Sequence, residues 1–214
     1  VEKDISSLEW LERAVDLEQK KDWQGLLDWC QKWTKSEPND KWAWLNLGVT
    51  YSDLGCYNDA IDAYRQAIRI DPEIVRAWSN LGVAYSDLGR YNDAIDAYRQ
   101  AIRINPEDAQ AWYNLGNAYG NLKRYNDAIE AYRQALRINP GFAIAWKNLG
   151  DAYYGLERYN DAIEAYRQAI RINPEYADAW KNLAIAYFLS GNRTAALDAI
   201  RELRRFDPER AEKL

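Results

Sequence analysis

A tryptophan stands at Trp10, Trp44, Trp78, Trp112, Trp146 and Trp180, each 34 residues after the last, and the prolines Pro38, Pro72, Pro106, Pro140, Pro174 and Pro208 keep the same step. A fixed period of this length marks a chain of supersecondary units that stack, because one such unit cannot bury its apolar face alone. Six units follow: 7–40, 41–74, 75–108, 109–142, 143–176 and 177–210. Within 109–142 the apolar residues Trp112, Leu115 and Tyr119, then Tyr125, Ala128, Ile129, Tyr132, Ala135 and Leu136, recur three and four apart, which predicts two helices. Gly120-Asn121-Leu122-Lys123 breaks the pattern between them; other units put Gly55, Gly89 or Gly191 there, where a helix C-terminus favours a left-handed residue. Asn139-Pro140 ends the second helix, since proline cannot continue the backbone ladder. Glycine inside a helix costs about 1 kcal/mol, so Gly48, Gly82, Gly116 and Gly150, with Ala60, Ala94, Ala128 and Ala162, mark close helix contacts. The predicted fold class is an all-α superhelical solenoid of helix-turn-helix units.

The bulk of the sequence narrows the function. The net charge is −5, and residues 1–108 hold 13 basic and 20 acidic side chains against 15 and 13 in residues 109–214. No basic face for nucleic acid is implied. No apolar run reaches the ~20 residues that span a bilayer, and no signal peptide is visible. Histidine is absent, which removes Ser-His-Asp and Cys-His nucleophile arrangements and histidine metal sites. No phosphate-binding glycine loop is present, and the carboxylates are spread at the repeat period rather than convergent. The expectation is a non-enzyme with no cofactor and no metal. Of the two cysteines, Cys30 falls where other units carry a buried tyrosine and Cys56 falls in a turn, so neither implies a disulfide. The chain starts at Val1 and has no methionine, which suggests an excised or processed piece.

In unit 75–108 the residues Trp78, Leu81, Gly82, Tyr85, Gly89, Ala94, Tyr98, Ala101 and Pro106 follow W-x2-L-G-x2-Y, alanine, tyrosine, proline. This pattern resembles the tetratricopeptide repeat. The resemblance covers residues 7–210 and implies a right-handed superhelical α-solenoid. It divides the chain into a degenerate N-terminal repeat or cap at 1–40, four near-identical repeats at 41–176, and an atypical C-terminal repeat and capping segment at 177–214. Unit 7–40 departs with Arg13-Ala14 for Leu-Gly and Trp33 for the later alanine; unit 177–210 departs with Ala184 for the glycine and a charged second helix. Terminal repeats of a solenoid are usually atypical because one face meets water. Ser6 and Glu9 read as a capping box at the start.

The stretch RYNDAIEAYRQA occurs twice, at 124–135 and 158–169, and nearly unchanged at 90–101 and 56–67. It is the second helix, which in the family lies outside; its Tyr-Asn-Asp start and Arg-Gln pair read as a solvated face and turn. The first helices vary instead. Their second position holds Trp42, Arg76, Gln110, Ile144 and Asp178; their fifth, Leu45, Ser79, Tyr113, Lys147 and Lys181; their ninth, Val49, Val83, Asn117, Asp151 and Ile185. The twelfth and thirteenth hold Ser52-Asp53, Ser86-Asp87, Gly120-Asn121, Tyr154-Gly155 and Phe188-Leu189. These positions share one helix face, which in the family lines a concave groove. Aromatic anchors on it suit a protein interface.

The sixth position stays fixed as Asn46, Asn80, Asn114, Asn148 and Asn182. An amide offers donors and an acceptor to the main chain of an extended peptide, and the row resembles the asparagine ladder of the O-linked N-acetylglucosamine transferase repeats. The other reading is that each asparagine bonds a neighbouring repeat's backbone and steadies the stack. A carboxylate clamp of the kind that holds chaperone tails is incomplete: Lys147 and Asn182 fit, but Asp151 replaces an asparagine, Tyr113 stands in place of the lysine that Asn117 would need, and no third repeat follows. Lys147 and Lys181, neighbours on the groove, suit an acidic side chain or carboxylate, whereas Asp53 and Asp87, interrupted by Arg76, suit the opposite charge. The expected function is a cytoplasmic adaptor that holds a partner protein or extended peptide, without nucleic acid or membrane. Self-assembly into a homo-oligomer, and service as the substrate-recruiting domain of a larger enzyme, are the alternatives.

Overall fold

The computed structural model describes residues 6–213, so Val1 and the outermost residues of the two terminal segments lie outside the described region. The described chain is helical throughout, and it forms an all-α solenoid of tandem hairpins. It divides into two compact units, residues 1–106 and 107–214. The N-terminal unit holds α1 (Ser7–Gln19), α2 (Trp23–Ser36), α3 (Lys41–Asp53), α4 (Tyr57–Ile70), α5 (Val75–Asp87) and α6 (Tyr91–Ile104). The C-terminal unit holds α7 (Ala109–Asn121), α8 (Tyr125–Ile138), α9 (Ala143–Gly155), α10 (Tyr159–Ile172), α11 (Ala177–Leu189), α12 (Arg193–Phe206) and a short α13 (Pro208–Ala211). Odd-numbered helices up to α11 are the first helices of hairpins and even-numbered ones the second; within each unit every hairpin packs on the next.

The recurring tryptophan and proline are partners. The indole N–H groups of Trp44, Trp78, Trp146 and Trp180 donate to the carbonyls of Pro38, Pro72, Pro140 and Pro174 at 2.9, 2.8, 2.9 and 2.7 Å. Each bond ties a first helix to the turn that ended the preceding repeat, and each contributes about 1 kcal/mol net.

Glycine and tyrosine form a second pair. A Cβ built on Gly116 would lie 2.5 Å from Cε1 of Tyr132, and the same distance separates Gly48 from Tyr64, Gly82 from Tyr98 and Gly150 from Tyr166. The tyrosine rings are buried flat against the first helix, so only glycine fits opposite them. The end hairpins exchange both members: Ala14 faces a chain position that holds Cys30, and Ala184 one that holds Ile200. The buried Cys30 thiol lies 3.7 Å from the Thr50 hydroxyl, and burial raises its pKa to about 11.

The termini are plugged by volume. Trp33 replaces the repeating alanine, is buried, and stacks parallel on Trp10 with centroids 6.0 Å apart; Trp29 packs on the same ring at 4.4 Å. At the other end Leu203 takes that alanine position and is fully buried, and Ala211 of α13 is buried nearby. The Ser6–Glu9 capping box forms, with Ser6 N–H donating to Glu9 Oε2 at 2.8 Å and Glu9 N–H donating to Ser6 Oγ at 3.3 Å.

The copied second helix is more than a solvated face. Arg65 donates to the Tyr85 hydroxyl at 2.7 Å and Arg133 to that of Tyr153 at 2.6 Å, each reaching the next hairpin. Arg90, Arg124 and Arg158 lie over the rings of Tyr85, Tyr119 and Tyr153 at 4.6, 4.6 and 4.7 Å, and pair with Asp93, Asp127 and Asp161. The stretch is copied because it makes the same inter-hairpin joint each time.

The break between helices needs a left-handed residue. Gly55, Gly89 and Gly191 supply it with φ of 73°, 70° and 86°, but Lys21, Lys123 and Glu157 adopt it at 56°, 57° and 59°. A side chain there costs about 1 kcal/mol. Lys123→Gly and Glu157→Gly are therefore each expected to raise the urea midpoint without altering the helical circular dichroism signal. An unchanged or lower midpoint would show that the lysine and glutamate are held there by compensating contacts.

Candidate functional site

The varied positions come together on the first-helix face of each unit. In the C-terminal unit this face is built around hydrogen bonds. Tyr132 donates its hydroxyl to Asn117 Oδ1 at 2.8 Å, and Asn148 Nδ2 donates to the same oxygen at 2.9 Å and to the Tyr113 hydroxyl at 3.2 Å. One repeat later, Tyr166 donates to Asp151 Oδ1 at 2.8 Å and Asn182 Nδ2 to the same atom at 2.9 Å, while Lys147 Nζ sits 2.7 Å from Asp151 Oδ2. The ladder asparagines Asn148 and Asn182 thus reach back to side chains of the preceding repeat. They steady the stack through side chains, where the sequence suggested backbone. Asn114 accepts from Gln110 on its own helix at 2.9 Å.

The N-terminal unit meets the same demand differently. Val49 and Val83 occupy the ninth position and cannot accept a bond. The Tyr64 and Tyr98 hydroxyls pair instead with Ser52 and Ser86 at 3.3 and 3.4 Å. Burial pushes both phenols up to about 12. Asn46 turns back onto the Trp42 carbonyl of its own helix at 2.8 Å.

These bonds sort the predicted site residues. Trp42, Arg76, Asp87 and Tyr154 are exposed, as are Val83, Ile144 and Phe188 on the same positions of their helices. Val49, Tyr113, Asn117 and Lys181 are half-buried. Leu45 is a correction: it is 1 % exposed and contributes no open surface. The fifth position points at the seam between neighbouring first helices. Tyr113 shows this in the C-terminal unit, with its ring 4.9 Å from Phe142 and its hydroxyl bonded by Asn148. Lys147 and Asp151 are committed to each other rather than held ready for a ligand. Burial pushes the Lys147 ammonium down, but the Asp151 hydrogen bond and charge, then Tyr176 and Asp178, lift it above the ordinary lysine range. Asn117, Gly120, Asn121, Tyr132, Asn148 and Asp151 line an open hollow of about 420 Å³ on this face.

Sequence reasoning overlooked the first hairpin. Leu8, Leu11 and Val15 hold the second, fifth and ninth positions of α1 and are exposed, Leu8 by 63 %. Extending the position-by-position comparison into unit 7–40 would have found them. Nearby, partial burial and then the Glu18 charge hold the Asp53 carboxyl above its ordinary range. Its ionised form is the costly one in the fold, so the penalty applies above the carboxylate range and disappears as pH falls below it. Asp53→Asn is expected to raise the melting temperature at pH 7 and to leave it unchanged at pH 3; a drop at pH 7 would contradict this.

Comparisons with known proteins agree with this architecture. A family described as tetratricopeptide repeat matches residues 45–106 and 80–143, and one described as TPR repeat matches 150–191. The crystal structure of MamA is 30 % identical over 78 % of this chain and 97 % of its own, with a TM-score of 0.74. The chain belongs to the tetratricopeptide repeat family. A further family match, described as anaphase-promoting complex subunit 5, covers residues 4–74 of this tetratricopeptide chain. The fold is also that of YrrB, described as a TPR protein with an unusual peptide-binding site, at 22 % identity over 86 % of this chain and 98 % of that one, with a TM-score of 0.74. Pseudomonas aeruginosa PilF shares the fold at 19 % identity over 95 % and 94 % of the two chains, with a TM-score of 0.77. No curated protein matches the sequence. Among the described residues, no helix is long and apolar enough to cross a membrane.

Proposed function

We propose that this tetratricopeptide protein is a non-catalytic interaction scaffold that holds an extended peptide or partner protein against its first-helix faces, the concave groove of the family. The observation that carries this reading is a division of labour. The second helices repeat the same Arg–Tyr joint from hairpin to hairpin, whereas the first helices leave individual side chains such as Trp42, Arg76, Ile144 and Tyr154 exposed. The joints need a constant sequence; a recognition surface needs a varied one. Exposed aromatic and apolar side chains on that surface are the residue types that anchor protein partners. Asparagines already bonded within the stack supply rigidity, which lowers the cost of ordering a bound segment. YrrB, with the same fold, is described as having an unusual peptide-binding site.

Selection from a random-peptide display library tests the reading. Sequences enriched on the wild-type chain should bind a Trp42→Ser, Ile144→Ser, Tyr154→Ser variant at least tenfold more weakly, with the melting temperature nearly unchanged. Retention of affinity in that variant, or its loss on substitution of second-helix residues such as Asp62 and Glu164, would place recognition elsewhere.

Self-association is a second reading favoured by one contact surface. Leu197 of α12 is 56 % exposed, although the equivalent Ile163 of α10 is buried by the next hairpin. Sedimentation across concentration separates the two, since end-to-end stacking would yield larger species that Leu197→Glu dissolves.

A further inference from the structure

The first-helix face of the N-terminal unit differs chemically from that of the C-terminal unit. Its ninth positions are all valine, Val15, Val49 and Val83, where the other unit has Asn117, Asp151 and Ile185. Leu8, Leu11 and Trp42 extend this apolar stripe, and all but Val49 of these six residues are exposed. The stripe carries acid beside it. Glu12 stands where later repeats have the ladder asparagine, and Glu18, Asp53 and Asp87 follow at the twelfth and thirteenth positions. All four carboxylates are exposed and none has an ion-pair partner among the described residues. Glu18 and Asp53, on different hairpins, lie close enough to act on each other. Arg76 is the basic residue at these positions of the unit, and the balance stays negative. Nearby basic groups are spent elsewhere: Arg13 and Lys20 pair with Asp16, and Lys41 pairs with Asp71.

An exposed apolar stripe of this kind marks a partner site, and unpaired carboxylates along it select the partner's charge and speed its arrival. We infer that the first-helix face of residues 1–106 takes a short partner segment whose apolar side chains are flanked by lysine or arginine. This rests on the reading of the first-helix face as a peptide groove, and it adds which peptides the N-terminal share of that face accepts. The acidic flank rejects a segment with the same apolar side chains and glutamate beside them, because like charges would be brought together.

Fluorescence anisotropy of labelled synthetic peptides on the full chain tests it. The probes are a peptide of leucine and lysine pairs, its counterpart with glutamate for every lysine, and a third with serine for every leucine. The leucine–lysine peptide should bind at least tenfold more tightly than either other. A Leu8→Ser, Leu11→Ser, Val15→Ser variant and an Asp53→Lys, Asp87→Lys variant should each lose at least tenfold. Val83→Ser, a milder change at an exposed site, repeats the test should the triple variant unfold.

Equal binding of the serine–lysine peptide would reduce the effect to charge attraction and overturn the inference. Equal binding of the leucine–glutamate peptide, still abolished by the leucine substitutions, would overturn the charge choice while leaving the groove reading intact. Absence of binding by all three peptides would overturn the inference, and equal losses from Asp62→Lys on the second-helix side would overturn the groove reading with it. Dimerisation abolished by the leucine substitutions would assign the face to a second copy and overturn it as well.

Discussion

Replacing Gly116 by alanine is expected to cost this protein about 2 kcal/mol and roughly 5 °C in melting temperature. The added methyl would stand 2.5 and 2.6 Å from two ring carbons of Tyr132. That ring cannot slide away freely, because it is buried and its hydroxyl is pinned to Asn117 at 2.8 Å. Overpacking of this kind costs about 3 kcal/mol, offset by about 1 kcal/mol of better helix propensity. The terminal hairpins suggest the rescue, since Ala14 is matched by Cys30 and Ala184 by Ile200. The double variant Gly116→Ala, Tyr132→Ile should recover most of the loss, and a thermodynamic cycle of the four proteins should give a coupling well above 0.5 kcal/mol. Additive effects in that cycle would mean that the glycine and tyrosine are not a matched pair.

Asp151→Leu is expected to be worse, at about 3 kcal/mol by urea denaturation. One carboxylate serves three donors there: the Tyr166 hydroxyl, the Asn182 amide and the Lys147 ammonium. Removing it strands a lysine side chain that is only 20 % exposed, together with a buried phenol. Asp151→Asn should be milder, because Asn117 accepts from the equivalent tyrosine and asparagine one repeat earlier. The asparagine leaves Lys147 without its charge partner, so Lys147→Tyr added to Asp151→Asn, which recreates the Tyr113–Asn117 pair, should restore stability. Failure of that double variant to improve on Asp151→Asn would show that the pairing is not what couples these positions.

The ion pair also has a pH signature. With its pKa lifted above the ordinary lysine range, Lys147 contributes stability that is fully present at neutral and mildly alkaline pH. The contribution is lost only as pH rises through the lifted value, and Lys147→Met should flatten that alkaline loss.

Much of the fold was legible in the letters. The spacing of Trp44, Trp78, Trp146 and Trp180 placed the hairpins, and the first helices do begin at Lys41, Val75, Ala109, Ala143 and Ala177, the first position of each unit. Helix periodicity, turn glycines and closing prolines are local signals that need no knowledge of distant residues. The departures at both ends were visible in the letters too, Trp33 standing in an alanine's place and Ala184 in a glycine's.

Which first-helix side chains are free was a different matter. Leu45 and Trp42 lie on the same helix face, yet one is sealed and the other open. Lys147, read with Lys181 as suited to an acidic partner, pairs with Asp151 at 2.7 Å, and Asn148 reaches a side chain 31 residues away. Leu8, Leu11 and Val15 read as part of a degenerate cap, yet they lie open on the first-helix face. The sequence alone determined the helices and where each one begins, because these depend on neighbours three or four positions along the chain. Exposure on the first-helix face was decided by the tertiary structure, because it depends on what the next hairpin brings against each side chain.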